Sequence, residues 1–97
     1  MASAFVYLLR CADGSLYCGW TVDVPKRVAA HATGRASRYT ATRRPHELAA
    51  AWEVPTQTHA RKLEARIKRL TTLEKRRLVA GAPLEDATRV RFASPAP

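Results

Sequence analysis

The sequence predicts a single mixed domain of the α/β (α+β) class, and three observations carry that prediction. Two apolar, aromatic-rich runs, residues 5–10 and 16–20, flank an Asp13-Gly14 pair, a strong short-range mark of a β-hairpin. Between Thr56 and Leu70, Ala60, Leu63, Ile67 and Leu70 recur at intervals of three and four, the stripe of an amphipathic helix. Ninety-seven residues, 46% of them apolar, suffice for one domain with a modest core and not for two.

Charge narrows the partner. Seventeen Lys and Arg face eight Asp and Glu, a net charge of +9, and most of the cations are arginine. Such an excess points to a polyanion, nucleic acid ahead of a membrane surface, because the planar guanidinium suits bidentate phosphate contacts. A merely solvated basic surface is the plainer alternative. No apolar run approaches the roughly 18–20 residues that cross a bilayer. Nothing at the N-terminus reads as a secretion signal, and Cys11 and Cys18 lack zinc-site spacing. Reduced, packed thiols in a cytoplasmic protein are the expectation.

The hairpin admits two turns with different consequences. A two-residue Asp13-Gly14 turn sets Tyr7 opposite Trp20 and puts Tyr7 and Tyr17 on opposite faces. A three-residue loop, Ala12-Asp13-Gly14, sets Tyr7 opposite Gly19 and Leu9 opposite Tyr17, so both tyrosines share one face. The sequence is compatible with either. After Trp20, Asp23 is a good helix N-cap and Pro25 suits a first turn. Val24, Val28 and His31 follow the stripe, with Arg27 beside it.

Residues 33–46 show neither periodicity. There Arg35, Arg38, Arg43 and Arg44 surround Tyr39 and several threonines, a surface suited to phosphates and an unstacked base. An ordinary polar loop with Tyr39 covering the core edge is the competing reading. Residues 48–54 read as a third strand bounded by Pro45 and Pro55, although alanine is a poor strand former; a short helix competes.

Thr56 or Thr58 can cap the next helix. At about 100° per residue, Glu64 borders its apolar stripe, while Arg61, Lys62, Arg66, Lys68 and Arg69 fill the rest of the wheel. Glu64 is thus the lone carboxylate of a strongly basic helix. It can pair with Lys68 at i,i+4 or hold a divalent metal together with waters and substrate phosphates. Thr71 and Glu74 form a capping box before a further short helix that stops at Gly81. Residues 1–83 are therefore read as the domain. Residues 84–97, ending Ser94-Pro95-Ala96-Pro97, read as a loose tail.

Phe5-Val6-Tyr7, then Tyr17-Cys18-Gly19, then Arg27 on one helix and Glu64 on a later one resembles the GIY-YIG nuclease superfamily, more narrowly its small standalone bacterial (YhbQ-like) group. Tyr-x-Gly alone is uninformative; the ordered set over residues 4–80, with Ser37-Arg38-Tyr39-Thr40, is specific. The resemblance implies a three-stranded, mainly antiparallel sheet flanked by helices, and Mg²⁺- or Mn²⁺-dependent hydrolysis of phosphodiesters. It implies that Tyr7 and Tyr17 shape the water site, one of them as base or relay, and that Gly19 allows close approach. Arg27 would neutralise the scissile phosphate, Glu64 would hold the metal, and His31 would be a further site residue. Arg35, Arg38, Tyr39, Arg43, Arg44, Lys62, Arg66, Lys68 and Arg69 are the candidate nucleic-acid contacts.

The chemistry hangs together, since a phosphodiester needs an activated water and a cation at the non-bridging oxygen. Tyrosine, of pKa near 10, is a poor base at neutral pH, and a neighbouring Arg27 and metal would lower that value. The first motif is Phe-Val-Tyr rather than Gly-Ile-Tyr. The asparagine that larger members carry near the domain's end has no counterpart, because the sequence contains none. The expectation is a DNA endonuclease, structure-directed or weakly specific, linked to repair or recombination. The alternative is a non-catalytic basic nucleic-acid-binding domain of the same fold.

Overall fold

The hairpin closes with the longer turn. In the computed structural model, which describes residues 3–92, strand β1 (Ala4–Arg10) pairs antiparallel with β2 (Leu16–Thr21), Tyr7 opposite Gly19 and Leu9 opposite Tyr17. Cys11 N–H donates to the Ser15 carbonyl and Gly14 N–H to the Cys11 carbonyl, both at 2.9 Å, leaving Ala12, Asp13 and Gly14 as the loop. Gly14 sits at φ 84°, the left-handed position that this loop requires and a side chain resists. Tyr7 and Tyr17 consequently share one face of the sheet.

The sheet has four strands in the order β2-β1-β3-β4, all antiparallel, where the resemblance implied three. Strand β3 (Glu47–Val54) confirms the strand reading of that segment over the helical one. Its alanines have a reason: Ala51 lies opposite Tyr7 on the side away from Gly19, so two small residues flank the buried ring. Strand β4 (Thr88–Val90) pairs with Glu53, Trp52 and Ala51, inside the segment read as a loose tail. Three residues are too few to display the alternation by which a strand is read. The Ser94–Pro97 ending lies outside the described residues.

Four helices cover the sheet. Asp23 caps α1 (Val24–Ala32) by accepting from Lys26 N–H, and Ser37 caps the one-turn α2 (Arg38–Ala41), which has no counterpart in the sequence reading. Thr56 caps α3 (Gln57–Lys68), and the Thr71–Glu74 capping box opens α4 (Thr72–Val79). One sheet face presents Val6, Leu8, Cys18, Trp52 and Val54 to Ala60, Leu63 and Ile67 of α3 and Leu78 of α4. The other presents Tyr7, Leu9, Tyr17 and Ala51 to Val28 of α1. Cys11 and Cys18 are buried free thiols, and no helix among the described residues is long and apolar enough to cross a membrane.

Candidate active site

Tyr7 is 2% exposed, and its ring leans across β2 into the space that Gly19 leaves by having no side chain. A Cβ on Gly19 would lie 2.6 Å from Tyr7 Cζ and would strike the hydroxyl as well. The close approach expected of Gly19 is therefore made by Tyr7 itself.

The Tyr7 hydroxyl meets His31 Nε2 at 2.7 Å, and His31 Nδ1 meets the Thr40 hydroxyl at 2.7 Å. His31 is 1% exposed and Thr40 fully buried. Neutral imidazole carries one proton, so the two contacts are linked. With the proton on Nδ1, the Tyr7 phenol donates to Nε2 and Nδ1–H donates to Thr40 Oγ1; with the proton on Nε2, both bonds run the other way. Ser37 offers the Thr40 hydroxyl two acceptors, its carbonyl and its Oγ, both at 3.3 Å. His46 Nε2–H donates to the Thr40 carbonyl at 2.6 Å, fixing the same residue from its backbone.

Aromatic contacts complete the cluster. Tyr17, half-buried, meets His31 edge-on at 5.2 Å between ring centres and stacks on Tyr39 at 5.8 Å with 28° between planes. The Arg43 guanidinium lies 3.8 Å from the centre of the Tyr39 ring. Arg43 also donates to Asp13 at 2.9 Å and to the Tyr39 carbonyl at 2.9 Å, while its own carbonyl accepts from Ala12 N–H. The hairpin tip, α2 and Tyr17 are thereby tied together. Ser15, through its hydroxyl and N–H, and Arg43 hold the Asp13 carboxyl below the usual carboxylate range.

Burial dominates the electrostatics. It raises the Tyr7 phenol well above its ordinary value, Tyr17 adds to the rise, and Arg27 pulls the other way without prevailing. The lowering anticipated from Arg27 exists, but desolvation outweighs it. Burial, with His46 and Arg27, pushes His31 down to about 4, so the imidazole is neutral at neutral pH. Cys18 is pushed up to about 12, chiefly by burial, and is an inert thiol.

Arg27 stands on the same side as the tyrosines, one turn before His31. It lines an open pocket of about 410 Å³ with Thr21, Val22, Asp23, Lys26 and Ala30, and makes no ion pair among the described residues. Glu64 arrives differently. Its helix covers the opposite face, packed on β2 and β1, yet its charge is felt at both Tyr7 and Cys18. Its side chain is 21% exposed and pairs with Lys68 at 3.6 Å. Among the described residues no three His, Cys, Asp or Glu side chains form a ready-made metal cage. A lone hard carboxylate still fits a magnesium-type ion, which keeps its waters and takes phosphate oxygens.

Of the candidate nucleic-acid contacts, Arg35 and Arg38 are exposed on the tyrosine side. Arg44, also exposed, donates to the carbonyls of Ala41 and Ala32. Lys62, Arg66 and Lys68 belong to α3 and Arg69 is its C-cap, beyond the sheet. Sequence reasoning passed over Thr40 and His46 as site members. Ser37-Arg38-Tyr39-Thr40 carried a hint for the first, and nothing local marked the second.

With this geometry in view, the comparisons are consistent. The family model for the GIY-YIG catalytic domain matches residues 3–77. The chain is 40% identical over 88 residues to the UPF0213 protein BH0048 of Halalkalibacterium halodurans, spanning 89% of this chain and 94% of that one. It is 43% identical over 91 residues to the UPF0213 protein VC_A0739 of Vibrio cholerae, spanning 91% and 88%. The solution NMR structure of UPF0213 protein BH0048 from Bacillus halodurans is similar at a TM-score of 0.53 and 40% identity, over 80% of this chain and 83% of that one.

Proposed function

The chain belongs to the GIY-YIG family, in its small standalone YhbQ-like group, and from that premise we propose that it is a divalent-metal-dependent DNA endonuclease. Membership itself implies a nuclease with a nucleic-acid partner. The finer reading is hydrolysis of phosphodiesters in DNA, directed by structure or only weakly by sequence, in the service of repair or recombination. Buried free thiols suit a reducing compartment such as the cytoplasm. The observation that carries the proposal is the convergence of Tyr7, Tyr17 and His31 on one sheet face beside Arg27, with Tyr7 bonded to His31.

Tyr7 and His31 supply a path for a proton. Water attacking phosphorus must lose one, and Tyr7 Oη can accept it while passing its own to His31 Nε2, leaving the phenol neutral throughout. This route suits a raised phenol and a neutral imidazole better than a free phenolate does. The negative phosphate arriving nearby favours the imidazolium that results. Arg27, lining its pocket and without an ion pair among the described residues, is placed to meet the non-bridging oxygens as charge develops there, an effect worth roughly 10²–10³ in rate for a well-aimed donor. Tyr17, stacked and half-buried, would orient the water or phosphate. Glu64 would hold Mg²⁺ or Mn²⁺, which supplies charge stabilisation at the phosphoryl oxygens. Arg35 and Arg38 would grip the backbone near the scissile bond, and Lys62, Arg66 and Lys68 of α3 with Arg69 at its end would reach it only around the β2 edge.

The test is incubation of the protein with single-stranded, duplex and branched DNA or RNA and Mg²⁺ or Mn²⁺, beside Glu64→Ala and Arg27→Ala. Metal-dependent nicking that both variants lose, with folding and DNA binding retained, supports the proposal. Salt-sensitive binding with no cleavage of any substrate would establish the non-catalytic binding domain instead.

A further inference from the structure

Thr40 has no charge, does not reach solvent, and is fully buried on α2 in a stretch that otherwise displays arginines. The shortest contact of its hydroxyl is 2.7 Å, to His31 Nδ1. Every other polar group of the residue is also held. Its N–H donates to Ser37 Oγ at 3.2 Å, its hydroxyl hydrogen faces the Ser37 carbonyl, and its carbonyl takes the His46 proton. A buried threonine fixed from three directions and aimed at the far nitrogen of a site histidine does more than fill space.

We infer that Thr40 is a positioning residue that sets the tautomer of His31, holding the proton on Nδ1 so that Nε2 stays open to the Tyr7 hydroxyl. Neutral imidazole has one N–H, and the hydrogen bond at one ring nitrogen decides the state of the other. Because Ser37 offers an acceptor for the Thr40 hydroxyl hydrogen, Thr40 Oγ1 receives from Nδ1 instead of donating to it. Without that oxygen the ring can place its proton on Nε2. It would then donate to Tyr7, and the proton path from Tyr7 closes. Ser37 thus acts twice, as the N-cap of α2 and as the anchor of Thr40. His46 adds a backbone clamp on the same residue. This explains why a one-turn helix is built here: it carries Thr40 to a ring nitrogen nine residues earlier in the chain.

The catalytic consequence rests on the nuclease reading, whereas the tautomer does not, so the two fail separately. ¹⁵N NMR of the imidazole in the full-length protein reads the tautomer directly. Wild-type His31 is expected to show a protonated Nδ1 and an unprotonated Nε2. In Thr40→Val, which keeps the shape and removes the hydroxyl, the proton is expected to move wholly or partly to Nε2. Thr40→Ser is expected to restore the wild-type pattern. Where nicking is measurable, Thr40→Val should lower kcat about tenfold or more with KM little changed, and Thr40→Ser should recover it. A protonated Nε2 in the wild type, or the same tautomer in Thr40→Val, overturns the inference whatever the cleavage result. Should Thr40→Val fail to fold, Thr40→Ala, which also lacks the hydroxyl, is read in its place, and an unchanged tautomer there overturns the inference equally. A correct tautomer in a protein that cuts nothing upholds the positioning role and refutes the nuclease.

Discussion

Gly19→Ala should damage this protein through one neighbour, Tyr7. The new Cβ would stand 2.6 Å from Tyr7 Cζ and 3.1 Å from Cε1. Carbon atoms rest about 3.5–4.0 Å apart, so the ring must retreat by about 1 Å. Ala51 and the strands on either side leave it nowhere to go without leaving His31, since Tyr7 is 2% exposed. A retreat of that size stretches the 2.7 Å bond to His31 past the limit of a hydrogen bond. Overpacking of this kind costs about 1–3 kcal/mol, and a buried polar group left unpaired about 1–3 kcal/mol more. Alanine returns only about 0.4–1 kcal/mol through the unfolded chain. The net is a loss of about 1–5 kcal/mol, centred near 3, a fall in Tm of roughly 12–24 °C at that centre for a domain of this size. Thermal melts followed by circular dichroism read it. A cycle with Tyr7→Phe isolates the cause: removing Oη takes away one of the clashing atoms, so Gly19→Ala should cost about 1 kcal/mol less in that background. A Gly19→Ala protein as stable as the wild type, or an equal cost in both backgrounds, would refute the packing argument.

His31 makes stability depend on pH in a definite direction. Its folded value of about 4 lies below the ordinary 6.5, so between those values the unfolded chain binds the extra proton and acid destabilises. Urea midpoints should therefore be level above pH 7 and fall between 6.5 and 4, a loss of up to about 3 kcal/mol at the acid end; a flat profile in the wild type from pH 6.5 to 5, or one that His31→Gln leaves unchanged, contradicts it. Arg43 and Arg38 should separate. Arg43→Ala loses its stacking on Tyr39 and its hydrogen bond to the Tyr39 carbonyl, costing about 1–2 kcal/mol of stability, whereas Arg38→Ala should leave the melt unchanged and flatten the salt dependence of DNA binding; identical melts for the two variants would dissolve the distinction.

The elements that could be read ahead of the structure are those whose cause is local. The Asp13-Gly14 pair, the Asp23 and Thr56 caps, the Thr71–Glu74 box and the 60–63–67 stripe each act within a turn or two of chain, and each forms its element. The loop length behind Gly14 was open because both turns satisfy the same residues locally. What decides it is packing across the sheet, where Tyr7 needs Gly19 on one side and Ala51 on the other. Strand β4 and helix α2 stayed hidden for a related reason. Each is three or four residues long and exists because a partner elsewhere holds it, β3 for the first and His31 with the hairpin tip for the second. At the site, Tyr7, Tyr17, Arg27 and His31 were singled out through the family resemblance that their ordered motifs carry. Thr40 and His46 were not, since a hydroxyl matters here only through a contact with a distant ring.

The arginines show why net charge foretells a partner better than it foretells contacts. Thirteen residues with one charge and similar propensity are indistinguishable in a one-dimensional reading, so Arg43, Arg44 and Arg38 looked alike. The fold divides them by what lies within reach. Arg43 finds a carboxylate, a carbonyl and an aromatic face, and becomes the pin joining the hairpin tip to Tyr39. Arg44 finds two carbonyls that close the turn between α1 and β3. Arg89 finds the last carbonyls of α4 and the face of Trp52. Guanidinium is suited to all of these because its donors lie in a plane that can fork and stack at once. A basic protein of this size therefore uses part of its charge as mortar. Among the cations left over in the described residues, Arg27 at its pocket and the exposed Arg35 and Arg38 are ones that a phosphate backbone would meet without first breaking the fold.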